Sequence, residues 1–172
     1  ILETVRTGSH PNELVFTKDG RLFVANSGSN SVSVVKDGKV VEEIKTTIKP
    51  NSLVGASPTA LAITPDQRTL FVANSDNNSV AVIDISVAGK SGVRGFIPTD
   101  WYPSALAVTK DGKRLLIGAG KSGLNLKGNY PASTDFKRAV PDPKTAYDYI
   151  GATLQGTLSI VEIPDSQKLA AY

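Results

Sequence analysis

Short apolar runs alternate with polar punctuation along most of this chain. Val, Ile, Leu and Phe gather in stretches such as Leu22–Asn26 (LFVAN), Ser31–Lys36 (SVSVVK) and Leu70–Asn74 (LFVAN), and Asn, Asp, Gly and Ser close each one. Runs this short, bounded by turn formers, predict β-strands. Helical periodicity is absent until the last residues, where Asp165 or Ser166 can cap a short helix.

The pattern repeats. Pro11–Val35, Pro58–Ile83 and the stretch from Pro103 (PSALAVTKDGKRLLIGAG) are copies of one another. Their period of roughly 45 residues, filled with short strands, is the signature of propeller blades. The predicted first strands are Glu13–Thr17, Ala60–Thr64 and Ala105–Thr109. The second are Leu22–Asn26, Leu70–Asn74 and Leu115–Ala119. The third are Ser31–Lys36, Ser79–Ile85 and Thr157–Ile163, and the fourth are Lys39–Lys45 and Gly92–Thr99. Lys18-Asp19-Gly20, Pro65-Asp66-Gln67 and Lys110-Asp111-Gly112 are the turns after the first strands, with the positive φ that a two-residue hairpin prefers expected at Asp-Gly.

The expected fold is all-β: a β-propeller of three four-stranded antiparallel blades, the last incomplete, within a larger ring of about seven blades. The expected division is residues 1–8 as the outer strand of a preceding blade, blades at 9–55 and 56–101, and a third at 102–172. Three blades leave apolar faces open. Either the chain is part of a longer propeller, or two copies close a ring by self-association. The absence of methionine, even at the start, points to a processed or cropped chain.

The third copy carries about 33 extra residues between its second and third strands, near 121–155. This insertion holds Tyr130, Phe136, Tyr147 and Tyr149, with Arg138 and several lysines among them. Long loops on rigid scaffolds often carry binding residues, and aromatics interspersed with cations suit a protein interface or an anionic ligand. Packing of these aromatics over their own propeller is the competing expectation.

Composition removes several classes of chemistry. There is no cysteine, so disulfides, thiolate metal sites and cysteine nucleophiles are excluded. His10 is the one histidine, and a multi-histidine metal site cannot be built within the chain. No metal or other cofactor is expected. The net charge of +3 comes from scattered lysines, which is no nucleic-acid footprint. No apolar run reaches the ~18 residues of a membrane span.

Candidate site residues cluster at the turns that lead from one blade to the next. These turns are Ser9-His10-Pro11, Ala56-Ser57-Pro58 and Trp101-Tyr102-Pro103, and they gather at one mouth of the central channel. Trp101 and Tyr102 are aromatic anchors for a ligand or partner there, or plugs for a blade seam. Glu13 stands where the other copies have Ala60 and Ala105, so a carboxylate facing the channel could hold a cation or water. Asn26 and Asn74 end their strands and are expected to bond local backbone.

The motifs LFVAN and Asn-Ser-Val-x-Val-Val or Asn-Ser-Val-x-Val-Ile resemble the YVTN-repeat β-propellers of bacterial and archaeal surface-layer and secreted proteins. Gly95–Pro103 (GFIPTDWYP) and Tyr149–Pro164 (YIGATLQGTLSIVEIP) are similar to the subgroup in which the propeller precedes an alkaline-phosphatase-like phosphoesterase domain. That resemblance implies a secreted, periplasmic or cell-surface bacterial protein. It also implies a non-catalytic scaffold or binding module whose partner is another protein or an adjacent domain. The competing class is a propeller enzyme, such as a lactonase, with carboxylates and histidines around the channel mouth. Glu13 and His10 are what this chain offers for that chemistry.

Overall fold

The computed structural model describes residues 1–49, 52–121 and 156–172. Three antiparallel sheets stand side by side. The first contains β1 (Pro11–Phe16), β2 (Leu22–Asn26), β3 (Ser31–Lys36) and β4 (Lys39–Lys45), in that spatial order. The second repeats it with β5 (Pro58–Ile63), β6 (Thr69–Asn74), β7 (Ser79–Asp84) and β8 (Gly92–Pro98). The third has β9 (Pro103–Val108), β10 (Arg114–Ala119) and β11 (Thr157–Glu162). β1 neighbours β5 and β5 neighbours β9, so the first strand of each sheet forms the inner edge, as in propeller blades.

Strand bounds for the second and third strands lie within a residue of the sequence expectation. Each inner strand instead starts about two residues early, at its proline, because the pairing continues across a bulge, as at Pro11/Glu13 and Pro58/Ala60. Residues 1–7 form no strand; they lack a ladder partner, and a strand exists only through its neighbour. They are tied to the first blade at their end, where the Gly8 N–H donates to Ser33 Oγ (3.3 Å).

Apolar burial between blades holds the arc together. One cluster joins Phe23, Ala25, Val32, Val34 and Ile44 of the first blade to Leu61, Leu70, Val72, Ala81 and Ile83 of the second. A second cluster joins Ala62, Phe71, Val80, Val82 and Ile97 to Leu115 and Ile117 of the third. Each fully buried Phe or Leu contributes about 1.5–3 kcal/mol. The middle blade is thus covered on both faces. The outward faces of the other two are open: Phe16 is 68% exposed and Leu158 65%. The helix α1 (Ser166–Ala170), capped by the Asp165 carboxylate accepting from Lys168 N–H, reaches back to the middle blade and buries Leu169 against β8 at Gly95.

The turns are built alike from blade to blade. Asp37 (φ 49°) and Gly38 (φ 71°) form the mirror-image turn that suits a tight hairpin. The hairpins after the inner strands are longer than the expected two-residue form. A Thr17–Gly20 turn ends on one left-handed residue, Gly20, and Gln67 and Gly112 hold that place in the other blades. There the Thr17, Thr64 and Thr109 hydroxyls donate to Asp19, Asp66 and Asp111 at 2.5, 2.6 and 2.5 Å. These bonds, with N–H donors of the following residues, hold all three carboxyls below the ordinary range. Asp84 is drawn to about 2 by the Ser86 hydroxyl and N–H and by the Arg94 guanidinium.

At the opposite end, Asn30 and Asn78 are left-handed and clamp the chain as it passes to the next blade. Asn30 Oδ1 accepts from the Gly55 and Ala56 N–H groups (3.0 and 2.8 Å), and its Nδ2 donates to Leu53 O (2.9 Å). Asn78 Oδ1 accepts from the Tyr102 N–H (3.0 Å). Asn26 and Asn74 do not bond local backbone as expected. Asn26 Nδ2 donates to the Ser33 hydroxyl (2.8 Å), and Asn74 Nδ2 crosses the seam to Thr46 O (2.7 Å). Both side chains are fully buried, so they must reach whatever acceptor the packed interior offers.

Two outcomes are expected. Asn30→Ala strands three backbone groups, one of them at buried Ala56, and should cost about 2–4 kcal/mol in urea denaturation, whereas Lys39→Ala on the exposed outer strand should cost under about 0.5. The depressed Asp carboxyls contribute stability that is complete above their unfolded pKa of about 3.9 and lost as pH falls through the folded values. Stability should therefore be level from pH 5 to 7 and decline from about pH 4 towards 2. Asp84→Asn should be less stable than the parent at pH 6 and show a shallower decline in that acid window.

Candidate functional site

The passages between blades place the same left-handed residue before each proline: His10 (φ 52°), Ser57 (φ 50°) and Tyr102 (φ 60°). None is glycine, and a following proline restricts the backbone further, so this conformation is held by its surroundings. The holding bonds repeat. The Ser9 and His10 carbonyls accept from Gly28 and Ser27 N–H, those of Ala56 and Ser57 from Asp76 and Ser75, and those of Trp101 and Tyr102 from Lys121 and Gly120, all at 2.9–3.2 Å. Each passage is thereby stitched to the turn after the second strand of its own blade. The result is an arc of paired turns around one mouth of the inner edge.

Of the expected residues, Trp101 and Tyr102 come together at the seam between the second and third blades. They line an open recess of about 230 Å³ with Ser75, Asp76, Asn78 and Lys121. Lys121 Nζ lies 4.6 Å from the centre of the Tyr102 ring, a cation–π contact. Tyr102 is half-buried, whereas Trp101 is 47% exposed and accepts no burial role. Asp100 Oδ1 accepts from the Trp101 N–H (2.9 Å) and Oδ2 from the Thr157 hydroxyl (2.9 Å), which fixes the turn from the other side. Ser75 Oγ donates to Pro103 O across the seam at 2.6 Å. Asp76 accepts from the Ser57 hydroxyl.

His10 and Glu13 lie in the first blade and do not line this recess. His10 is exposed, with Nδ1 3.2 Å from Ser9 Oγ. Glu13 pairs opposite Ala25, on the sheet face that meets the middle blade. It is exposed at the inner edge and makes no hydrogen bond or ion pair among the described residues. Tyr130, Phe136, Arg138, Tyr147 and Tyr149 lie outside the described residues. Lys121 and Asn78 were legible as an insertion cation and a turn residue, not as members of one recess. The Asn-Ser-Val recurrence pointed to Asn78, and Lys121 was one of the insertion's cations; it gains its place through the Trp101 carbonyl.

The opposite mouth is lined by the Thr–Asp hairpins. Lys18, Asp19, Arg21, Asp66, Gln67, Arg68, Ser86 and Val87 enclose a recess of about 440 Å³ between the first two blades. Among the described residues no cluster of three or more His, Asp or Glu side chains could hold a metal ion. No helix among them is long and apolar enough to cross a membrane.

Comparison with known proteins agrees with this architecture. Among solved structures, the hydrazine synthase of Kuenenia stuttgartiensis is 26% identical with a TM-score of 0.56, over 68% of this chain and 31% of that one. A protein of Bacteroides fragilis assigned as a 6-phosphogluconolactonase is 21% identical with a TM-score of 0.58, over 66% of this chain and 33% of its own. A counterpart from Bacteroides uniformis with the same assignment is 20% identical with a TM-score of 0.57, over 71% and 39%. At the last two identities the likeness is one of fold. The chain spans about a third of the length of these structures. No curated protein matches it in sequence. The comparisons support a β-propeller but give no support to the YVTN or phosphoesterase-associated type that the repeats resemble. Residues 2–125, most of the described chain, match the family described as "Lactonase, 7-bladed beta-propeller". The chain belongs to that lactonase family of seven-bladed β-propellers.

Proposed function

We propose that this chain forms part of a propeller hydrolase that opens a cyclic ester at the mouth built by the blade-to-blade passages. The observation that carries the reading is the family match over residues 2–125, which ranks a lactonase-like enzyme above a non-catalytic scaffold. The geometry is compatible with it. Rigid propeller strands hold exposed turns, and a partly apolar recess at the mouth presents an exposed indole, a phenol ring and a lysine. An indole face suits the CH face of a sugar-like ring. Lys121 suits an anionic substituent, such as the phosphate of a 6-phosphogluconolactone, the substrate type in the assignment of two structural neighbours.

In the reaction, water oxygen adds to the acyl carbon, the ring C–O bond breaks, and the departing alkoxide takes up a proton. Glu13 and His10 are the described groups at the inner edge suited to accept the proton from water and return it. Both are exposed and form no ion pair among the described residues.

A pH-stat assay with δ-gluconolactone and its 6-phosphate tests this. Ring opening should exceed the spontaneous rate, and Glu13→Gln or His10→Ala should lower kcat/KM at least about tenfold. Lys121→Gln should raise KM for the phosphorylated lactone more than for the neutral one. Spontaneous rates only, with both lactones and the intact protein, would sink the enzyme reading.

A further inference from the structure

We propose that the mouth opposite the passages holds an oxyanion site, floored by Arg21 and rimmed by Lys18 and Arg68. Arg21 is only 4% exposed and lies in the seam between the first and second blades. Its Nε donates to Asp19 Oδ2 (2.8 Å), its Nη2 donates to Ile85 O of the next blade (3.0 Å), and its guanidinium sits 5.4 Å from the Phe23 ring centre. Nη1 is buried and has no acceptor among the described residues. A guanidinium that spends two of its three nitrogens on well-placed partners and leaves the third bare in a closed seam is short of a charge-compatible acceptor. Burying an unmet donor of this kind is unfavourable, and more so when it is charged.

The surroundings supply both the room and the sign of charge. Arg21 lines the recess of about 440 Å³, within the range of small-molecule sites. Three cations, Lys18, Arg21 and Arg68, line it against two carboxylates, Asp19 and Asp66. Both carboxylates are already engaged. Asp19 accepts from the Thr17 hydroxyl and Arg21 Nε, and Asp66 from the Thr64 hydroxyl and the Arg68 N–H (3.1 Å). Lys18 N–H is fixed to Gln67 Oε1 across the seam (2.9 Å), which anchors the rim on both blades. The lysine and Arg68 side chains form no ion pair among the described residues, and both residues are exposed. An oxyanion entering past these exposed rim side chains meets two cations above the buried Arg21 guanidinium.

The repeat places a second arginine at the same point of the fold. Arg114 holds the place of Arg21 in the third blade, where its N–H likewise bonds the turn threonine. Arg114 is exposed on the outward face of the third blade. A seam covered by the next blade is what turns this residue into a floor.

The test is titration of inorganic phosphate, and separately of gluconate, into the intact protein at constant ionic strength set with chloride. Melting temperature and guanidinium NMR are the readouts. Saturable stabilisation by either anion, with the Arg21 side-chain resonances moving, is expected. Lys18→Gln and Arg68→Gln should each weaken that binding about tenfold, and Lys113→Gln in the third blade should leave it unchanged. No saturable response to either anion overturns the site, as does binding that Lys18→Gln and Arg68→Gln leave intact. Failure here leaves lactone opening at the other mouth untouched, so the two readings separate.

Discussion

Burial of both faces of one sheet is the constraint from which the rest of this structure follows. In the middle blade, β6 and β7 are buried along nearly their whole length, with Leu70, Val72, Ala81 and Ile83 turned to one neighbour and Phe71, Val80 and Val82 to the other. Such strands lose the apolar–polar alternation of a half-solvated sheet and become continuous apolar runs. A sheet of this kind cannot stand alone, because either bare face would expose large side chains to water. The first and third blades meet that condition on one side only, which is why Leu14, Phe16, Leu158 and Ile160 lie open. The same arithmetic of faces favours a ring over a stack with two ends.

Stacked sheets still have to be joined, and the joints carry strain. His10, Ser57 and Tyr102 occupy a backbone region that side chains avoid, directly before a proline. The conformation persists because it lets two successive carbonyls meet two successive N–H groups of the adjoining turn. Asn30 and Asn78 take up backbone N–H groups of the same passages. Many backbone groups at the mouth thus find partners without a regular ladder, and the side chains of the strained residues are held where a ligand could meet them.

The sequence was most legible where local rules and the repeat agree. Leu22–Asn26 and Ser31–Lys36 were bounded correctly because apolar runs and turn residues coincide there. Ile1–Gly8 looked like Val40–Thr47, yet it forms no strand, since pairing depends on a neighbour that composition cannot supply. Asn26 and Asn74 looked like local caps because they end strands. Their true partners depend on packing: a hydroxyl on the adjacent strand and a carbonyl on the preceding blade, 28 positions away in the second case. Trp101 and Tyr102 were legible as departures from the Ser-Pro pattern of the second copy. Lys121 was legible only as an insertion cation, because its place beside Tyr102 is set by a backbone bond between distant segments.

Repetition also separates scaffold from chemistry at the two mouths. A feature present in every blade, such as the Thr–Asp hairpin, is explained by folding alone: it satisfies a turn, and its carboxylate is held ionised by the donors that form the turn. What differs between blades has no such explanation. Glu13 replaces small alanines at the inner edge, Trp101 and Tyr102 replace Ala56 and Ser57, and Arg21 stands where the second blade has Thr69. The first two differences fall at the mouth of the passages and the third at the opposite mouth. A scaffold needs neither of the first two, which put a charged or aromatic group where the second copy has small residues; the arginine recurs as Arg114 in the third blade, and at that position it is Thr69 that departs. That is the physical ground for looking to both ends of the channel for ligands, and to the seams between blades, where one repeat meets another, for the residues that hold them.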